Sequence, residues 1–332
     1  MSQVLASPLL ANGLLNTFAD NYIKIRNRQA DSRLAAVMDL AVPAINRRHE
    51  FGYFEAAPHV ELWKRGDTIP TDAMSSVQFT AFVHDWGRRV PWHADDRKDE
   101  QTGTLMQAAA AAGQSAALLP ERFFFDLLAG TTNTLPAVPN APDGVAFFST
   151  TDAASAARFG VTSGNLITGG GITSTSLVLT DYYKAIAQFL QFQDGKGQPL
   201  LSADIIDAGV IVICAAADVE IMERAFMQKR QNVVYGSNTA AAAQSNIVQD
   251  ASRNVELWPS ARLSTGDWYV FLKASPIKPA FELAREGVLE DMAIQGMNNS
   301  DQVRSTQVEY VQWGLRSGAA INLPIGAIKI NN

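Results

Sequence analysis

The segment from Phe51 to Trp92 constrains the fold more than any other part of the sequence. It contains short runs of aromatic and β-branched residues, FGYF, VELW and VQFTAFV, which are typical of strands. Between the last two runs lies the polar, turn-rich stretch KRGDTIPTDAMSS, which offers few side chains for a core. We therefore expect a long hairpin whose middle projects from the body of the protein. Exposed strand edges pair readily with neighbouring chains, so this hairpin favours a protein that assembles.

Charge and composition argue against several classes of protein. The 332 residues include 27 Lys and Arg against 33 Asp and Glu, which argues against a protein that coats nucleic acid through a dominant basic surface. The single cysteine, Cys214, lies in the apolar run AGVIVICAAA and is expected to be a buried thiol without an intrachain disulfide. Neither a signal peptide nor a run of about 20 apolar residues occurs, so we expect no contact with a membrane.

Residues 9 to 29 predict an amphipathic helix that is locally basic. Leu14, Phe18 and Tyr22 recur at a spacing of four and, with Leu15 and Ile25, form an apolar face that needs a partner. Four cationic residues lie among them or just after them, namely Lys24, Arg26, Arg28 and Arg33. A solvated helix face is one interpretation of these cations, and contact with packaged nucleic acid is the other.

The middle of the chain predicts helices around a buried strand. Residues 94 to 129 have the composition of a long helix with an acidic start and an alanine-rich body, and Pro120 should kink or restart it. A second helix is expected from near Ser176 to Asp194. The run AGVIVICAAA predicts a buried strand, and Asp218 is a good N-cap for the helix VEIMERAFMQ that follows.

The last third of the chain predicts strands, which makes the fold class α+β. The strands include a long stretch from Ala280 to Met292 and the segment QVEYVQWGLRSGAAINL. In a regular strand Tyr310 and Trp313 point to opposite sides. We therefore expect one of these two aromatic residues to face a neighbouring chain.

One segment is a candidate for catalytic chemistry. In HDWGRRVPWHADD, the side chains of His84, His93 and Asp95 offer nitrogen and oxygen ligands for a metal ion, as in a metal-dependent hydrolase. The competing interpretation places the histidines on a strand and Asp95 at a helix cap, since no further ligand has a diagnostic spacing. The triple glycine at residues 169 to 171 lacks the Lys-Ser/Thr of a phosphate-binding loop, and the common hydrolase motifs are missing. The sequence therefore predicts a protein that is not an enzyme and carries no cofactor.

The order of features resembles the HK97-type capsid fold, and more narrowly the Mu-like major head subunit family. Short motifs carry the resemblance along nearly the whole chain: GRRVPWHADDRKDEQTG, DGVAFF, SGNLITGGG, DGKGQPL, Asn246 before a strand, D-W-Y at 267 to 269 and W-G-x-R at 313 to 316. Each motif alone is weak, and their order makes the resemblance specific.

The resemblance implies four structural parts. These are an N-terminal arm (1–50), an extended E-loop hairpin (51–84), a peripheral domain with a long spine helix (85–135 and 276–310) and an axial domain (136–275 and 311–332). Because the sequence starts at the arm, the resemblance also implies that the scaffold is a separate protein or a segment already removed.

The resemblance further implies a major capsid subunit of a tailed phage. Pentamers and hexamers of such a subunit form an icosahedral shell around double-stranded DNA, with scaffold, portal and, as a further candidate, decoration proteins as partners. The expected location is the virion, after assembly in the host cytoplasm. An encapsulin-like nanocompartment is the alternative within the same fold.

Candidate assembly contacts lie near the tip and at the base of the hairpin, where charges can pair between subunits. They are Trp63, Lys64, Arg65 and Asp67 at the tip, and Arg88 and Arg89 at the base. An alternative for Trp63 is that it packs on its own hairpin.

Overall fold

The computed structural model describes residues 3–30, 32–43, 48–54, 76–93, 103–227, 230–233, 242–245, 254–284, 293–295, 305 and 308–332. The α-helices in these ranges are α1 (Gln3–Ala30), α2 (Arg33–Val37), α3 (Thr104–Ala117), α4 (Leu119–Ala129), α5 (Thr175–Gln191), α6 (Ala203–Asp207) and α7 (Val219–Phe226). The strands are β1 (Met38–Pro43), β2 (Arg48–Phe54), β3 (Ser76–Phe82), β4 (His84–His93), β5 (Leu166–Thr168), β6 (Val210–Ala215), β7 (Arg230–Val233), β8 (Ala242–Ser245), β9 (Val255–Ser260), β10 (Trp268–Leu272), β11 (Ala280–Ala284), β12 (Ala293–Gln295), β13 (Val308–Ile321) and β14 (Ala327–Asn331).

Two five-stranded sheets organise the described part of the chain. The first sheet has the order β1-β11-β13-β12, with β4 also paired to β13, and the second has the order β5-β14-β10-β6-β9. Two separate hairpins, β2-β3 and β7-β8, are antiparallel. The structure therefore has the mixed α+β architecture that the sequence predicts.

The second sheet has an apolar core on both of its faces. All six residues of β6 are buried, as expected for the run VIVICA, and the strand lies between parallel β9 and antiparallel β10. Val210, Val212 and Cys214 contribute to the cluster formed with α5 and α7, whereas Ile211 and Ile213 contribute to the cluster that contains α4. This alternation fixes the register of the strand, because a shift of one residue would exchange the two faces.

The first sheet is built around β13, which pairs with β4 along ten positions from Val308↔His93 to Ser317↔His84. Helix α1 covers this sheet together with α3. The ring centroids of Phe18 and Trp313 lie 4.4 Å apart, and a Cβ atom at Gly113 would overlap the carbonyl oxygen of Phe18. The apolar face of α1 therefore finds its partner within the chain.

The predicted helices are present with small shifts. The alanine-rich segment forms α3 and α4, which are separated at Leu118, and Pro120 lies in the first turn of α4, where its missing N–H costs nothing. The acidic residues 94 to 102 lie outside the described residues. Helix α5 begins after Ser174, whose Oγ accepts a hydrogen bond from the Leu177 N–H at 3.4 Å.

Two predictions about single residues need correction. Asp218 is the N-cap residue of α7, as predicted, but its carboxylate accepts a hydrogen bond from the Gly266 N–H at 3.0 Å and forms none with the helix. Tyr310 and Trp313 are both buried, since the Arg89 guanidinium lies over the Tyr310 ring and Phe18 packs on Trp313. Each of these two aromatic side chains is therefore covered mainly by residues of its own chain.

The structure also bears on the expected domain limits. Strand β13 runs without interruption across the expected boundary between residues 310 and 311. Helix α4, expected in the peripheral part, packs through Phe124 against Trp258 and Phe271 of the second sheet. Of the expected strand from Ala280 to Met292, β11 accounts for the first five residues, and 285–292 lie outside the described residues.

Candidate assembly surface

The hairpin of β2 and β3 is anchored to the first sheet by aromatic contacts. The two strands pair from Arg48↔Phe82 to Phe54↔Ser76. The ring of Phe51 lies 5.1 Å from that of Phe79 and 4.2 Å from that of Phe281 on β11. This cluster fixes the direction in which the hairpin leaves the sheet.

The expected tip contacts Trp63, Lys64, Arg65 and Asp67 lie outside the described residues. Phe82, at the end of β3, is 61% exposed, while its neighbours Ala81 and Val83 are buried against the first sheet. Sequence reasoning missed Phe82 as a surface residue. The alternation around it is the signal that identifies its outward direction, because successive side chains of a strand point to opposite faces.

Arg88 and Arg89 lie next to each other on β4 and therefore point to opposite faces of the first sheet. Arg89 donates a hydrogen bond from Nε to Gln312 Oε1 at 2.8 Å, and its Cζ lies 4.8 Å from the centroid of the Tyr310 ring. Arg88 is exposed and lines a groove beside α3. The two arginines thus contribute to different surfaces.

The basic residues of the N-terminal segment fall into two pairs. Arg26 forms an ion pair with the buried Glu282 at 2.8 Å, and Arg33 forms one with Glu256 on β9. Lys24 and Arg28 are exposed on α1. The cationic surface of this segment is therefore reduced to two side chains.

Tyr22 is buried where α1 packs against α3 and the first sheet, and this burial changes the ionisation of its hydroxyl. Desolvation raises the pKa of the Tyr22 hydroxyl to about 12; the Arg26 charge lowers this pKa and the Glu282 charge raises it. Desolvation likewise raises the pKa of the Cys214 thiol to about 12, with Asp218 and Glu223 as further causes. Both groups remain protonated near neutral pH, so neither is a nucleophile there.

The candidate metal ligands do not come together. His84 and His93 lie at opposite ends of β4, about 30 Å apart by the rise of an extended strand. Asp95 lies outside the described residues, and within those residues no group of three or more His, Cys, Asp or Glu side chains could hold a metal ion. The two histidines therefore cannot bind one ion in this subunit.

None of the helices in the described ranges combines the length and the apolar character of a membrane span.

A hairpin attached to a helix-covered sheet, joined to a compact second sheet, defines the HK97-type capsid fold. Known structures share this architecture. The capsid of cyanophage P-SCSP1u superimposes with a TM-score of 0.56 at 11% identity, covering 89% of this chain and 86% of that one. The mature capsid of bacteriophage PhiM1 gives a TM-score of 0.54 at 8% identity, covering 90% and 86%. The virus-like particle from Pyrococcus furiosus gives 0.50 at 8% identity, covering 95% and 96%.

Residues 77–330 match the phage capsid protein family, and the chain belongs to that family. No curated protein matches the sequence significantly. The protein is accordingly a phage major capsid subunit that forms a shell with other copies of itself, and its place is the capsid of the virion. The family match does not favour the encapsulin-like alternative.

Proposed function

We propose that this subunit forms the icosahedral head of a tailed phage, as pentamers and hexamers that enclose double-stranded DNA. The observation that carries the proposal is the hairpin β2-β3, which the aromatic cluster of Phe51, Phe79 and Phe281 ties to β11 of the first sheet. A monomeric protein gains nothing from such an extension, whereas a lattice uses it at every subunit.

The mechanism we propose is multivalent. Lys64, Arg65 and Asp67 pair with opposite charges on a neighbouring subunit, Trp63 supplies an apolar contact, and Arg88 and Arg89 act at the base. Each contact is modest by itself. In a symmetric lattice, a subunit held by one contact forms its other contacts at a high effective concentration. Weak interfaces therefore give a stable shell together.

We assign the first sheet with α1 and α3 to the peripheral domain, and the second sheet with α5 and α7 to the axial domain. Two ion pairs connect the N-terminal segment to both sheets, Arg26 with Glu282 and Arg33 with Glu256. In this assignment the segment after α1 joins the two domains.

Contact with DNA in this proposal is non-specific and weak. Arg26 and Arg33 are neutralised by carboxylates, so Lys24 and Arg28 are the arm residues that can meet phosphates. A net charge of -6 is consistent with a wall that encloses DNA without binding it tightly.

The remaining parts of the proposal rest on the order of sequence motifs. This order supports the Mu-like head subunits as the relevant branch, with assembly in the host cytoplasm on a scaffold, around a portal, and with a decoration protein as a further partner. Scaffold and portal genes beside the coding sequence would support this branch, and a cargo enzyme in their place would contradict it.

Deletion of residues 62–72 tests the hairpin directly. We expect a folded subunit that no longer closes into shells, because the contacts between subunits at the tip are removed. Negative-stain electron microscopy measures the particles, and circular dichroism measures the fold. The control removes the exposed pair of Glu220 and Arg224 on α7 by alanine substitution and should leave assembly unchanged. Normal particles from the deletion variant would contradict the proposed role of the hairpin.

A further inference from the structure

A groove of about 520 Å³ lies between α3 and the face of the first sheet that α3 covers. Its helix side consists of small residues, among them Ala108, Ala112 and Ser115, and its sheet side is formed by Trp86 and Trp313. This space is partly open to solvent and is not filled by side chains of the subunit itself, unlike a packed interior. The groove therefore has room for side chains from outside the subunit.

The other side of α3 shows how tightly this helix can pack. There Gly113 allows the backbone of α1 to approach so closely that a methyl group would not fit. Ala108 and Ala111, by contrast, are exposed at the groove. The open space is thus confined to one side of the helix.

Among the described residues, the charged side chains that line the groove are both cationic. They are Arg88 and Arg122, and no described carboxylate accompanies them. Arg122 donates a hydrogen bond to Ser115 Oγ at 3.0 Å, but within the described part of the chain neither arginine forms an ion pair. Arg26, Arg33 and Arg316 all have carboxylate partners. The two groove arginines are therefore available to an anionic group.

We propose that this groove binds an acidic segment of a second copy of the chain, with an aliphatic side chain between Trp86 and Trp313 and a carboxylate at Arg88 and Arg122. The proposal rests on the assembly function above and names one surface that carries it. Guanidinium groups bind carboxylates with two parallel hydrogen bonds, and the apolar floor removes water from the contact. The chain has 33 acidic against 27 basic residues, so each copy has carboxylates in excess.

Site-specific crosslinking identifies the occupant. Cys214 is completely buried, so Ala111→Cys introduces a single accessible thiol at the groove, which a maleimide-benzophenone probe labels. The variant is mixed with heavy-nitrogen-labelled protein, irradiated at an assembling concentration and digested for mass spectrometry. We expect crosslinks that join a light and a heavy chain at peptides containing Asp or Glu. The matched control is Gln114→Cys, which is exposed on α3 outside the groove and should give much less of the same peptide.

Two results would overturn the inference: crosslinks only within one chain, or crosslinks between chains at peptides without a carboxylate. Electron microscopy of the same samples keeps the two proposals apart. Shells that form without crosslinks between chains at the groove would contradict the proposed groove contact but not the capsid function. Crosslinks between chains without shells would support the groove contact and contradict the proposed shell.

Charge reversal measures the contribution of the groove to assembly. For the double variant Arg88→Glu, Arg122→Glu we expect the protein concentration at half assembly to rise about tenfold, because like charges then meet at the contact. Arg224→Glu on α7 makes the same kind of change elsewhere and should have no effect. If the double variant does not fold, Ala108→Leu fills the groove while preserving helix propensity, and it should raise the same concentration. Unchanged assembly in a folded groove variant would overturn the proposal.

Discussion

The two sheets of this protein are stabilised in different ways. Every residue of β6 in the second sheet is buried, whereas none of the described side chains of β4 in the first sheet is. Apolar clusters cover both faces of the second sheet, whereas on the first sheet an open groove lies beside the alanine-rich α3. A completely buried strand thus characterises the second sheet, and an open groove beside α3 characterises the first.

A buried ion pair lies at each sheet. At the second sheet, Arg158 pairs with Asp143 at 2.7 Å and is linked through Asn165 to the Ala327 carbonyl on β14. The first sheet contains a buried ion pair between Arg26 and Glu282, to which Ser317 adds a hydrogen bond at 3.3 Å. Such a pair specifies one arrangement of α1 on the sheet but adds little net stability compared with apolar packing. We therefore expect the apolar packing of the second sheet to contribute more to the free energy of unfolding than the Arg26–Glu282 pair does.

The largest expected effect comes from the second sheet. Phe271 on β10 is completely buried, with its ring 5.7 Å from that of Phe124. Phe271→Ala should lower the free energy of unfolding by about 3–5 kcal/mol, because it removes apolar contacts and leaves a cavity. Urea denaturation measures this loss. The matched control, Phe82→Ala on the exposed side of β3, should change the same quantity by less than about 0.5 kcal/mol. Equal losses would contradict the contribution of buried packing in the second sheet to stability.

A smaller effect is expected from the buried ion pair. Glu282→Gln leaves the largely buried Arg26 without its counter-charge and should lower the free energy of unfolding by about 3 kcal/mol or less. Amide hydrogen exchange should show the loss mainly as faster exchange in α1. Glu220→Gln at the exposed pair with Arg224 is the control and should have no measurable effect. Unchanged protection of α1 would show that the pair does not hold this helix.

The smallest expected effect is a pH dependence at the link between α2 and the second sheet. Partial burial raises the pKa of Glu256, but hydrogen bonds and charges from Lys273 and Arg33 lower it more, and the net pKa lies below the ordinary 4.5. A carboxyl group with a lowered pKa stabilises the fold above its unfolded-state pKa, and this contribution is lost as the pH falls through the folded-state pKa.

Glu256→Gln should therefore be less stable than the natural protein above pH 4.5, by less than about 1 kcal/mol because the three side chains are partly exposed. The difference should disappear as the pH falls below 4.5. Thermal unfolding at a series of pH values measures it. A difference that stays constant with pH would exclude a contribution from the Glu256 charge.

Local patterns in the sequence predicted much of this fold. The spacing of Leu14, Phe18 and Tyr22 correctly identified the buried face of α1, and the apolar run at β6 identified a strand with two covered faces. The start of α5, expected near Ser176, was predicted to within one residue from the helical spacing of the apolar residues that follow it. Each of these features depends on residues that lie only a few positions apart in the sequence.

Contacts between distant residues could not be predicted in this way. Arg26 and Glu282 are 256 positions apart, and nothing in either local segment indicates the ion pair. The failed expectation for Tyr310 and Trp313 has the same cause, since Arg89 and Phe18 come from other elements. The groove likewise forms where α3 meets β4 and β13. No local pattern in the sequence therefore identified Arg122 as a groove residue.

Electron cryo-microscopy of the purified chain at assembling concentration tests the central claim most directly. We predict closed, uniform icosahedral shells in which the second sheet keeps the strand order β5-β14-β10-β6-β9 and the hairpin and the α3 groove contact neighbouring copies. A protein that stays monomeric and monodisperse at high concentration, without shells, would contradict it.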